Sequence, residues 1–479
     1  MEISKDVRID EPLDRVGRTS MGNNLILGQK DDKGSVSGLV YLGKCFEKNH
    51  YNANVWLSAS RPHVIYVVGK RGEGKSYDLG ILAEGLAQTG TVVSTLSRPQ
   101  TVLLFDTQSQ FWTLGFAPDP RNKEDSKQSD ELNKWGIQPS AVSRIQIFIP
   151  RGEEKIFEGS TEFVIDPSDM DSEDWCGLFG LDPFTPVGNL VTLAYRKVTR
   201  DGYHALKVGQ AGAVVRDEMV SPSATYDLDG LIDCVRYDED IVNEIQESTR
   251  NALLWRLQAA QEYPLFGRPG ITLANVIKEG HVTLFLLRNL SDEMKGLVVG
   301  LLIKKIFRAM GLRRQLQKAL ERASASQGAR LKGKVDSLQL PPTLWVLADE
   351  AHVLCPANGN TAAKKPLIEF VRRGRDAGLS LVMATQQPSA VDSSVLQTDI
   401  EIVHRLTIDE DIGAAKSRLP APFPSEIKLN GKEITEMRSF VRQLGVGEVL
   451  MADSEANRAI VMQMRPRVSA HGGGETKVE

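Results

Sequence analysis

The chain has few cysteines. Its 479 residues include only Cys45, Cys176, Cys234 and Cys355, and no two of them form a C-x-x-C pair. That scatter argues against a disulfide framework and against the usual zinc-site spacings, and it fits a reducing, cytoplasmic setting. No apolar run approaches the ~20 residues of a bilayer crossing, so no membrane association is expected. The first residues, Met1-Glu2-Ile3-Ser4-Lys5-Asp6, are polar and acidic, so neither a signal nor a transit peptide is expected there. Positive charge is not in excess either: 58 Lys and Arg against 62 Asp and Glu leave a net charge of −4. Any nucleic acid must then meet local basic surfaces. The remaining profile, 41% hydrophobic and 25% charged residues, is that of a soluble globular protein. The length suits two or three average domains or one enlarged α/β domain.

The most informative stretch is Gly69-Lys70-Arg71-Gly72-Glu73-Gly74-Lys75-Ser76. It follows the apolar run Val64–Val68 and leads into a segment, residues 77–86, that reads as a helix. Strand, glycine loop and helix N-terminus in that order are what a phosphate-binding P-loop needs. The glycines let backbone N–H groups wrap phosphates, and the helix N-terminus adds partial positive charge. Lys75 is placed to reach the β- and γ-phosphates of ATP, and the Ser76 hydroxyl to ligate Mg²⁺.

Around this stretch the chain divides unevenly. Residues 1–60 hold short strand-like pieces and read as a small β-rich lobe, thin for an independent core. Residues 61–479 then form the main domain, with a mostly helical insertion at about 165–275 and a tail at about 460–479. Val102–Asp106 and Ile145–Ile149 read as core strands, and residues 118–140 as a polar surface excursion. The acidic run from Tyr237 is expected to open one long helix to Gln258. After the strand His281–Leu287, apolar residues from Val298 to Leu320 recur at helical spacing. Lys304, Lys305, Arg308, Arg313 and Arg314 lie between them and read as a solvated face. Residues 321–340 show little periodicity and are expected as a loop.

Thr343–Ala348 is an apolar strand that ends in Asp349-Glu350-Ala351-His352. Paired with a P-loop, Asp349 is placed to hold Mg²⁺ and Glu350 to act as the general base toward water. A further strand, residues 379–385, ends at Gln386, whose amide can sit beside the γ-phosphate. Arg372, Arg373 and Arg375 lie just upstream. They either supply an arginine finger or complement a helix dipole.

Gly69–Ser76, Asp349–His352, Arg372-Arg373-Gly374-Arg375 and Ala384-Thr385-Gln386 together resemble the HerA/FtsK superfamily of motor ATPases, HerA in particular. The resemblance continues through Val403-His404-Arg405-Leu406-Thr407 and into Arg465-Pro466-Arg467-Val468-Ser469-Ala470-His471-Gly472-Gly473. It implies an α/β fold: a RecA-like P-loop core with an extra strand between the P-loop and acid strands. It also implies a homo-oligomeric ring, usually a hexamer, with double-stranded DNA in its pore. Gln386 is then the sensor and Arg375 the first choice for a finger acting on a neighbouring subunit, with Arg372 second. HerA proteins carry an N-terminal barrel larger than 60 residues, so here that part is expected to be shortened or rebuilt. Where they tend to have an Asp-Pro-x-Gly-Glu-like segment, this chain has Asp106-Thr107-Gln108-Ser109-Gln110, which leaves Asp106 a supporting role at most.

The expected function is an ATP-driven DNA translocase or helicase. It would work with a nuclease or another effector, in DNA end processing or anti-phage defence. The alternative is an ATP-gated oligomeric scaffold that activates a partner enzyme with little translocation.

Overall fold

A computed structural model describes residues 7–9, 24–28, 38–45, 52–208, 214–395, 397–419, 423, 427–429, 432–434 and 436–472. The P-loop run Val64–Val68 is a strand, and its side chains divide between two cores. Val64, Tyr66 and Val68 pack into one, Ile65 and Val67 into the other. Leu344, Val346 and Ala348 join the first core, and Trp345 and Leu347 the second. Successive side chains of a strand point to opposite faces, so a strand covered on both sides must be apolar throughout. That is why these segments read as unbroken apolar runs.

Among the described residues, thirteen strands form the main sheet. From Ile400–Val403 the parallel order runs through Val64–Val68, Leu379–Thr385, Leu344–Ala348, Thr101–Asp106, Val282–Leu286, Ile145–Pro150 and Thr161–Phe163. Leu379–Thr385 thus lies between the P-loop strand and the acid strand, where the resemblance implies an extra strand. On the other side of Ile400–Val403 come Glu448–Asp453, Arg458–Met464, Leu39–Cys45, Asn54–Ser58 and Asn24–Leu27. Of the described strands in the N-terminal 60 residues, Asn24–Leu27, Leu39–Cys45 and Asn54–Ser58 therefore continue the main sheet through Arg458–Met464, while Val7–Ile9 pairs with Ile427–Leu429 in a separate three-stranded sheet.

Helices cover both faces. The helix Lys75–Ala87 buries Leu79, Ile81, Leu82 and Leu86 against one side. The helix Asp292–Leu320 buries Leu297, Val298, Leu301, Leu302 and Ile306 against the other. Ser291 caps the latter by accepting from Met294 N, and Asp292 and Glu293 suit its positive end. Within 165–275 the chain is largely helical, with one hairpin, Tyr203–Val208 and Val214–Val220.

Three local expectations change. The helix expected from Tyr237 to Gln258 is two helices, Glu239–Glu244 and Glu247–Gln261, because Ile245 and Gln246 are extended. Residues 321–340 contain the helix Ala325–Ser337, whose inward side carries Leu331 and Val335, too narrow a stripe to read as periodicity. The polar excursion contains the helix Lys123–Trp135. Among the described residues no helix is long and apolar enough to cross a membrane, and all four cysteines are buried and outside any disulfide.

Candidate nucleotide site

The site lies at the carboxyl ends of the central strands. The P-loop leaves Val68 and folds back on itself through Gly72 and Gly74, at φ +82° and +118°, which L side chains rarely adopt. Gly69 and Gly74 also have His404 against them: a Cβ would come within 2.5 Å of the His404 Cβ at Gly69 and 3.0 Å of its ring at Gly74. The loop is thus moulded on a side chain 330 residues away in sequence at Gly74. His404 is fully buried, and its Nε2 lies 2.7 Å from Oδ2 of Asp78 in the P-loop helix. Arg405 holds the loop from outside. Its carbonyl accepts from Lys70 N at 2.9 Å, and its Nε donates to Glu73 Oε1 at 2.9 Å.

Lys75 is buried and arches back so that Nζ donates to the Lys70 carbonyl at 3.0 Å. Burial lowers its pKa, opposed by the charges of Asp349 and Glu350. The Ser76 hydroxyl donates to Asp349 Oδ2 at 2.8 Å, and Oδ1 accepts from Glu350 N at 2.8 Å. Asp349 is buried, which raises its pKa.

Glu350 turns in the left-handed region at φ +53°, uncommon for a residue with a side chain. Such strain is found where the surrounding structure fixes a functional geometry. Gln386 Nε2 donates to its Oε1 at 3.4 Å, and Oε2 is buried with no hydrogen-bond partner, although His352 Nδ1 lies 3.3 Å away. Burial first, and then the neighbouring Asp349 charge, push the Glu350 carboxyl up to about 7. A carboxyl poised there suits a base working near neutral pH.

These features fit a Mg²⁺-nucleotide. The loop turns through glycines, and nothing lies near where a Gly72 Cβ would be. Glu350 Oε2 is a buried acceptor without a donor, and Ser76 and Asp349 already face each other at bonding distance. Among the described residues no cluster of three or more His, Cys, Asp or Glu side chains could hold a metal. A metal would therefore rely on Ser76, Asp349, phosphate oxygens and water, which is typical of Mg²⁺.

The structure brings Gly69–Ser76, Asp349, Glu350 and Gln386 together, and keeps Arg372 and Arg375 apart from them. Arg372 is exposed on the helix Lys364–Arg373. Arg375 precedes the central strand Leu379–Thr385, so it sits at the amino-terminal ends of the strands, ~20 Å from its own P-loop at ~3.3 Å per strand residue. There it pairs with Asp399 at 2.7 Å and Glu455 at 3.7 Å. Asp106 is buried, accepts from Gln108 N and Phe111 N, and is pushed up to about 6 chiefly by burial. It shapes the turn after its strand. Of the basic helix, Lys304 is paired with Asp171 and Asp174, and Lys305 with Asp169, at the start of the insertion. They form internal ion pairs where a solvated face was expected. Lys332 and Lys334 are exposed on the helix Ala325–Ser337.

The tail motif has a structural account. Arg465 and Arg467 are fully buried against the P-loop helix, where Gly80 and Gly85 leave room: a Cβ on Gly80 would lie 2.7 Å from the Arg467 guanidinium. Glu84 in that helix accepts from Arg465 Nη1, Val468 N, Ser469 N and the Ser469 hydroxyl. Asp78 and Glu84, and the roles of His352, Thr385, His404 and Arg405, were missed from sequence. Only their closeness to recognised motifs could have drawn attention to them.

Fold and site together define a RecA-like P-loop protein. The family model described as "Helicase HerA, central domain" matches residues 59–306, half of the chain, and the protein belongs to that family. Among solved structures, VirB4 of Thermoanaerobacter pseudethanolicus is similar over 90% of this chain and 97% of its own, at 14% identity and a TM-score of 0.51. That similarity concerns the fold. The bacterial conjugative coupling protein TrwBΔN70 matches over 92% and 93% at 13% identity, TM-score 0.49. TrwB in complex with ADP and Mg²⁺ matches over 86% and 87%, at 13% identity and 0.47. No curated protein sequence matches the chain.

Proposed function

We propose that the protein is a ring-forming ATPase that couples hydrolysis to translocation on double-stranded DNA, and that it serves a nuclease or another effector in DNA end processing or anti-phage defence. The observation that carries the ATPase reading is the Ser76–Asp349 bond at 2.8 Å beside a general base, Glu350, whose Oε2 has no hydrogen-bond donor. Family membership supports the motor reading. Mg²⁺-ATP, bound here, would supply an electrophilic phosphorus and a metal that draws charge from the phosphate oxygens. Backbone N–H groups of Gly72–Ser76 and Lys75 Nζ would bind the phosphates. Ser76 and Asp349 would hold the metal. Glu350 would orient a water and take its proton, and Gln386, bonded to Glu350, would respond to the state of the γ-phosphate.

Arg375 is proposed as the finger for a neighbouring subunit's nucleotide, with Arg372 second. Its distance from its own P-loop supports action across a boundary. A homo-oligomer, proposed here as a hexamer, follows from that role.

The scaffold reading draws support from the net charge of −4 and from the internal pairing of Lys304 and Lys305. One experiment separates the two: ATP hydrolysis with and without double-stranded DNA, on a fraction sized by light scattering. Stimulation by DNA supports the motor. A ring whose hydrolysis ignores DNA supports the scaffold.

A further inference from the structure

We propose that His352 is a positioning residue that couples the general base to the sensor strand through its Nδ1 atom. This rests on the ATPase reading above. His352 lies on the short helix Ala351–Leu354 that follows the acid strand. Its Nδ1 is 3.0 Å from the Thr385 hydroxyl, the last residue of the sensor strand, and 3.3 Å from Glu350 Oε2. The Thr385 hydroxyl also accepts from Gln387 N at 3.1 Å, so it is itself fixed by the sensor loop. The neighbouring Gln386 donates to the other carboxylate oxygen of Glu350.

Glu350 is therefore approached at both oxygens, by the sensor-loop amide on one side and the His352 ring on the other. Its backbone, at φ +53°, leaves the strand direction, so the acid strand alone does not aim the carboxylate. Gln386, which donates to Oε1, and the His352 ring, 3.3 Å from Oε2, are the side chains set beside it. Asp292 and Lys295, from the start of the helix Asp292–Leu320, are joined to each other at 2.9 Å, and the Lys295 charge acts on Glu350 and the Asp292 charge on His352. A shift of the sensor strand relative to the acid strand would be transmitted to Glu350 through the Thr385–His352 contact as well as through Gln386. Small misplacements of a reacting group are costly, on the order of 10²-fold in rate for ~1 Å.

The test exploits which ring nitrogen makes the contact. An asparagine amide reaches about as far as Nδ1, a glutamine amide about as far as Nε2. The full-length protein and His352→Asn, His352→Gln and His352→Ala are compared for kcat, for affinity toward a fluorescent ADP analogue and for Tm. The expected result is a loss of kcat on the order of 10²-fold in His352→Gln and His352→Ala, with nucleotide affinity unchanged. His352→Asn should retain the larger share of wild-type kcat. Glutamine fills the space of the ring better than asparagine. A packing role would therefore favour His352→Gln, and that ranking overturns the proposal. So does wild-type kcat in His352→Ala, or a fall in affinity that parallels kcat. Should His352→Ala fail to fold, the Asn–Gln ranking still decides. Failure of the ATPase reading itself shows separately, as absence of hydrolysis in the wild type.

Discussion

Replacing Glu401 by glutamine probes the strand that lies beside the P-loop strand. Glu401 is fully buried and pairs in register with Tyr66, and neither carboxylate oxygen nor the Tyr66 hydroxyl has a hydrogen-bond partner. Burial pushes the carboxyl up from 4.5 to about 8, opposed by Arg418, whose guanidinium is bonded to the Pro388 and Val391 carbonyls. The pKa in the folded state lies above that of the unfolded chain, so the folded state holds this proton more tightly. The stabilising effect is then fully present below the unfolded value of ~4.5 and is lost as pH rises toward ~8, at up to ~1.4 kcal/mol per pH unit. The span of about 3.5 such units gives an upper bound of ~5 kcal/mol, and relaxation around the charge brings a realistic figure nearer 2–3 kcal/mol. An unfolding entropy of ~2.1 cal/mol/K per residue makes 1 kcal/mol worth ~1 °C in a chain of this length. Glutamine has the same shape and no charge. Scanning calorimetry at a fixed rate should find Glu401→Gln more stable than wild type by ~2–3 °C at pH 8, and the gap should close toward pH 5. A difference that does not depend on pH, or a variant less stable throughout, would refute the reasoning.

Two further outcomes follow from the geometry. Glu84→Ala leaves Arg465 buried without its carboxylate, a loss of ~3–5 kcal/mol, and limited proteolysis should cut the tail before the core. Equal protection of tail and core would show that the tail is held by something other than Glu84. Arg375→Ala should leave nucleotide binding intact and stop hydrolysis, with partial recovery when wild-type subunits are mixed in. No recovery would assign Arg375 to its own chain, where its pairs with Asp399 and Glu455 join the entries of three strands.

What could be read in the sequence was what local chemistry determines. The P-loop, the acid pair and Gln386 each stand at the end of an apolar strand, and burial on both faces makes such strands legible one at a time. The extra central strand followed from the family resemblance, and the register bears it out. The groups that hold the site were hidden because they meet across long separations. His404 touches Gly69 and Gly74, Arg405 binds Glu73, and Ser469 reaches Glu84 across 385 residues. Periodicity failed where the pattern was narrow, as in the helix Ala325–Ser337. It also failed where two extended residues interrupt a helix, as at Ile245 and Gln246. The strands Glu448–Asp453 and Arg458–Met464 went unassigned, though they join the N-terminal strands to the core. The placing of Arg375 rests on analogy with a motif, and its partners at the far ends of the strands leave no trace in local sequence.

The central claim is that Glu350 is the base of an ATP-hydrolysing site formed with the P-loop. The most direct measurement is ATP turnover by wild type and Glu350→Gln, together with the ATP each retains after gel filtration. The account predicts turnover by the wild type and, in Glu350→Gln, loss of turnover with ATP still bound, because glutamine keeps the shape and cannot take the proton. Turnover at the wild-type rate in Glu350→Gln would contradict it.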